Sequence, residues 1–179
     1  VLHEHGLRFT EGLTTGEDLS FGLRLWALGE GLHYAASDPP YIVGADAEVR
    51  VTMSRRPVAS DLECCLRLVQ EPWFAALPRR ERSAVVVKLV RIHLFGAVHN
   101  RRDLDSWPAQ DRQQLGEAAR ALLAAAPTAK RALSLVERQL LWACLDTSAP
   151  DAELRDASAR RIRHGRWNTV ATADPRGLW

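Results

Sequence analysis

Apolar residues crowd one early segment, where Leu19, Phe21, Leu23, Leu25, Trp26 and Leu28 leave only Ser20 and Arg24 as a narrow polar strip. A helix apolar on most sides is a buried helix, so residues 17–29 are expected to form one, closed by Gly29 and Gly31. Thr15 is the expected N-cap, because Thr15-Gly16-Glu17-Asp18 fits a capping box. Residues 1–16 read as an entry segment and loop. After the helix the period shifts towards two. Residues 32–36 read as a short strand stopped by Asp38-Pro39-Pro40, residues 41–44 as a second extended piece, and residues 48–53 as a half-buried strand. Ser54-Arg55-Arg56-Pro57 ends that pattern.

Beyond Pro57 the pattern is helical. Helices are predicted at 58–70, 73–77, 80–100, 109–126, 128–145 and 151–164, with Asp105-Ser106-Trp107-Pro108 capping the fourth. The tail after Gly165 carries turn residues. The chain therefore divides into a mixed α/β region over 1–56, a helical appendage over 57–165 and a tail over 166–179, and is predominantly helical overall.

Composition adds modest constraints. The 179 residues are 46% hydrophobic and 26% charged, ordinary for a globular protein, with a net charge of +2. Nearly all the basic residues are Arg, lysine occurring only at Lys88 and Lys130. No apolar run spans a bilayer, and no secretory leader pattern is present, so a cytoplasmic protein is expected. Three cysteines, two of them the neighbours Cys64 and Cys65, make no disulfide framework and read as reduced, buried thiols. The chain begins at Val1, and Val1-Leu2-His3-Glu4-His5-Gly6 reads like the middle of an element. A fragment lacking its N-terminal portion is the expectation.

Four constellations carry candidate chemistry. Glu17-Asp18 places two carboxylates at a helix start, where they serve either as favourable anions at the positive end of the macrodipole or as a general base towards a hydroxyl. Arg50-Val51-Thr52 puts a guanidinium and a hydroxyl on one face of an extended segment, suited to a diphosphate or simply to a solvated edge. Lys88, Arg91, Phe95, His99 and Arg102 share one face at helical spacing, opposite the apolar side, expected to be solvated or else to meet an anionic acceptor or phosphate-rich surface. Arg160-Arg161-Ile-Arg163-His164-Gly-Arg166-Trp167 is a basic helix end that could also sit on an anionic membrane surface. His3-Glu4-His5 lacks a spaced third metal ligand, and Cys64-Cys65 lacks Cys-x-x-Cys spacing.

The first third of the chain resembles the C-terminal part of the catalytic domain of family 2 glycosyltransferases, of GT-A fold. The resemblance rests on Gly6-Leu-Arg-Phe9-Thr-Glu11-Gly, Gly16-Glu17-Asp18-Leu-Ser-Phe21, Leu23-Arg-Leu-Trp26, Gly29, Tyr34, Tyr41 and Arg50-Val-Thr52 in order. It implies an α/β fragment of a GT-A domain followed by the helical region, and inverting sugar transfer from a nucleotide-sugar to a hydroxyl acceptor in cell-surface glycan or polysaccharide synthesis. On that resemblance Asp18 is the base, with Glu17 beside it; Arg50 and Thr52 contact the donor diphosphate, and Tyr41 and Trp26 line the substrate site. It also implies a Mn or Mg ion held by an Asp-x-Asp motif on other sequence, since Asp103-Leu-Asp105 does not map onto it. Without that half the fragment is expected to be inactive. Expected partners are the nucleotide-sugar and a glycan acceptor, a homo-oligomer, and peripheral membrane contact through 160–167, but not nucleic acid, for which no recognition motif appears. The rival reading is a non-catalytic helical interaction module in which Glu17-Asp18 is only a cap.

Overall fold

In a computed structural model the described residues are 2–29, 39, 55–163 and 171–172. They are predominantly helical. Helix α1 spans Glu17–Ala27, α2 Val58–Leu68, α3 Pro72–Ala76, α4 Arg79–Lys88, α5 Phe95–His99, α6 Ala109–Ala125, α7 Leu135–Leu145 and α8 Asp151–Ile162. Between α4 and α5 the helix continues without a break through a π-helical segment, Leu89–Leu94. The strands expected at 32–36, 41–44 and 48–53 lie outside the described residues. Among those described, β-type pairing is limited to an antiparallel bridge between Ser134 and Thr172, beside which the Leu135 amide donates to the Ala171 carbonyl at 3.0 Å.

Most boundaries follow local chemistry. Pro57, Pro78, Pro108 and Pro150 each stand immediately before a helix, where a fixed φ suits the start and the missing N–H is no loss. The single helix expected over 128–145 is instead a 3₁₀ turn, Ala129–Ala132, followed by α7. Ser134 makes the difference, because it forms a full capping box with Glu137 and so restarts the helix there.

The core is one cluster in which α2, the π segment and α5 meet α6, α7 and α8, through fully buried Val58, Leu62, Leu68, Leu89, Leu94, Phe95, Leu115, Leu122, Leu140 and Leu154. Leu19 of α1 belongs to the same cluster, so α1 packs on the helical region.

One polar hub lies inside this core. Arg101, only 1% exposed, places Nη2 2.9 Å from Asp61 and Nε 3.6 Å from Asp111, donates from Nη1 to the Ala97 carbonyl at 2.9 Å, and also donates to the Arg56 carbonyl. Its guanidinium lies 5.5 Å from the centre of the Trp107 ring. The hub ties the starts of α2 and α6 to the end of α5. A second arginine, Arg112, joins the end of α7 to the start of α8 through the Asp146 carbonyl at 2.9 Å and Asp151 at 3.3 Å.

Candidate functional site

Helix α1 departs from the expectation of a buried helix. Only Leu19 and Ser20 are buried, Phe21, Leu23 and Leu25 are half-buried, and Trp26 is 71% exposed. It lies on the rim of the bundle with one edge in the core. Its N-cap is Gly16, not Thr15, with φ of 74° and no side-chain capping bond. Glycine is required there twice over. That φ is left-handed, and a Cβ on Gly16 would lie 2.7 Å from the Cys64 sulfur of α2.

Three further contacts position α1. The Ser20 hydroxyl donates to Glu71 Oε1 at 2.6 Å, while the Trp73 indole N–H holds Glu71 Oε2 at 2.6 Å, so one carboxylate clamps α1 to the α2–α3 link. The Thr10 amide donates to the Glu17 carbonyl at 2.9 Å. Phe9 stacks obliquely on Phe21 with ring centres 4.8 Å apart. The two aromatics of the Phe-x-Glu and Glu-Asp motifs are thus in contact.

Glu17 and Asp18 are both exposed in the first turn of α1. Asp18 opens on a groove of about 530 Å³ between α1 and the α4–π helix, whose walls include Leu23 and Trp26 on one side and Lys88, Ile92 and His93 on the other. The structure therefore brings together Asp18 and Trp26 of the expected site. Tyr41, Arg50 and Thr52 lie outside the described residues. Lys88, expected on a solvated stripe, and Ile92 add a cation and an apolar side chain to the facing wall.

The basic stripe is divided in the same way. Phe95 is fully buried, with the Arg161 guanidinium 5.0 Å from its ring centre. Arg91 chelates the Glu137 carboxylate through Nε and Nη2, both at 2.8 Å. At 3.6 residues per turn these side chains would share one face, whereas the π segment holds an extra residue and changes the phase of the faces beyond it. Arg161, read as part of a free basic end, also turns inward, donating to the Arg91 carbonyl at 3.1 Å.

His93, on the wall of the groove, also belongs to a group that sequence spacing did not reveal. The ligand atoms of Cys64, Cys65 and His93 all lie within 4.8 Å of one another, with the two sulfurs 3.8 Å apart. Both cysteines are buried and His93 is half-buried. The Cys64 thiol is brought down to about 5, first by the hydrogen bond from Cys65 and then, against the cost of burial, by the hydrogen bond and charge of His93. Cys65 moves the other way, because it is the donor of that bond and is more deeply buried. Twenty-eight positions separate Cys65 from His93, too many for any local ligand spacing to reveal the pairing.

The described residues do not suit a Mn or Mg ion. Such ions take several oxygen ligands, whereas the three-ligand group offers two sulfurs and an imidazole. Asp103 is instead held by Arg55 at 2.6 Å, and Asp105 faces solvent.

Compared with known proteins, the chain matches no family, and no curated protein or solved structure is significantly similar to it. Among the described residues no helix is long and apolar enough to cross a membrane.

Proposed function

We propose that the chain carries the base-bearing C-terminal part of an inverting, family 2-like GT-A glycosyltransferase, and that its helical region forms one wall of the acceptor site. The observation that carries this reading is the groove on which Asp18 opens. A carboxylate meant only to finish a helix has no need of a facing wall, whereas a base needs its substrate held within hydrogen-bond reach.

The chemistry assigned to these residues is limited. An acceptor hydroxyl in the groove gives its proton to Asp18 as its oxygen attacks the anomeric carbon of the donor, and the nucleoside diphosphate leaves. Glu17 flanks the base, and exposed Trp26 offers an aromatic face to a sugar ring. Arg50 and Thr52 are proposed to neutralise the leaving diphosphate, with Tyr41 near the donor. The Mn or Mg ion implied by the resemblance supplies leaving-group stabilisation when bound. No step is assigned to it here, since the described residues do not form its site.

In the complete polypeptide Asp18→Asn should abolish transfer while leaving nucleotide-sugar affinity within about twofold. Stability should change by less than about 1 kcal/mol, because Asp18 is exposed at a helix end and makes no capping bond. Near-normal turnover in this variant would overturn the assignment of the base.

A further inference from the structure

We propose that Cys64, Cys65 and His93 form a site for a thiophilic divalent cation of the Zn(II) type, with a fourth coordination position facing the groove. The two sulfurs stand 3.8 Å apart, and a tetrahedron with metal–sulfur bonds of about 2.3 Å has an edge of about 3.8 Å. The pair is spaced for shared coordination before any ion arrives. The His93 nitrogen completes a face of three ligand atoms within 4.8 Å.

The alternative for two neighbouring thiols is a disulfide, and the backbone argues against it. Cys64 and Cys65 both lie inside the unbroken helix α2, where successive side chains diverge by about 100°. Their sulfurs are far from the roughly 2.05 Å of a bond. An imidazole is brought to Cys64 and Cys65 by a rare helical form, and π segments recur at functional sites. His93 also lines the groove, so an ion seated on these three atoms would have an accessible open position. Two sulfurs and one nitrogen select a soft or borderline ion over Mg or Mn. The site stands independently of any glycosyl transfer.

The test is titration of the reduced, metal-free chain with Co(II) and Zn(II). The expected result is one ion per chain, with a thiolate-to-cobalt charge-transfer band and the visible bands of a tetrahedral site, both displaced by Zn(II). Cys64→Ser and His93→Gln should each weaken binding by more than roughly 10-fold, the loss typical of even an outer-shell defect. His99→Gln, on the same helix but outside the cluster, should bind as the wild type does. Because Cys64 is part of the buried core, half-buried His93→Gln with unchanged helical circular dichroism carries the test by itself. Absence of the charge-transfer band in the wild type, or an undiminished band in His93→Gln, would overturn the proposal.

Discussion

Replacing Arg101 by Met should be among the most damaging single changes to this chain. The side chain is 1% exposed and holds together three helix ends through Asp61, Asp111 and two backbone carbonyls. Met fills much of the same length but leaves the carbonyls of Ala97 and Arg56 short of a donor. Asp61 would keep the Arg56 Nε at 3.1 Å. Asp111 would keep only the Val58 amide at 3.1 Å and lose its nearest cation. Breaking a buried ion pair from one side costs about 3–5 kcal/mol. The two carboxylates retain 13% and 15% exposure, so water softens the loss and about 3 kcal/mol is expected. At about 2–4 °C per kcal/mol for a chain of this size, the melting temperature should fall by about 6–12 °C. Urea unfolding followed by the helical dichroism signal reads the change as a lower midpoint at unchanged slope. Arg101→Lys should lose less, because it keeps the charge but not the planar fork. A loss below about 1 kcal/mol in Arg101→Met would refute the view of Arg101 as the staple of the core.

Two further perturbations test other parts of the structure. Gly16→Ala must place a side chain at a left-handed φ, costing about 1–2 kcal/mol, and must also displace the Cys64 sulfur; faster hydrogen exchange in α1 than in α6 would show that the damage is local, and unchanged exchange would count against the close approach. His99 is held below its ordinary value, first by burial and then by the charges of Arg102 and Arg161. The unfolded chain thus binds more protons there than the folded one, so this group's contribution to stability is present above about pH 6.5 and is lost as the pH falls below it; His99→Gln should flatten that slope in pH-dependent melting.

Much of the helical layout could be read from punctuation. Prolines at 57, 78, 108 and 150 mark helix starts almost to the residue, and Gly29, with φ of 67°, ends α1 where expected. What could not be read depends on three-dimensional neighbours. Thr15 and Gly16 compete for the cap of α1, and a sulfur from α2 settles it for glycine. The π turn is invisible in hydrophobic periodicity, because Leu89, Val90, Leu94 and Phe95 suit either helix. That one extra residue shifts the faces beyond it, so a stripe laid out at 3.6 residues per turn does not hold, while the cysteine–histidine group joins residues too far apart in the sequence for spacing to show it. Of the expected site, Asp18 and Trp26 share a groove, while its facing wall comes from the helix whose basic stripe was expected to be solvated.

The wide turn at Leu89–Leu94 also governs which length changes this gene could tolerate. A π turn holds one residue more than the α-helix it interrupts, so deleting a residue there would restore regular hydrogen bonding and improve the turn itself. The same deletion would keep Val86 and Lys88 in phase with Phe95 and Val98, because the wide turn spreads its extra residue over the rotation of an ordinary one. In a regular helix such as α6, Ala109–Ala125, no residue is spare, and losing one turns half of the helix by about 100° away from its neighbours. A deletion scan should therefore find loss of the exposed Ile92 better tolerated than loss of any residue in the middle of α6.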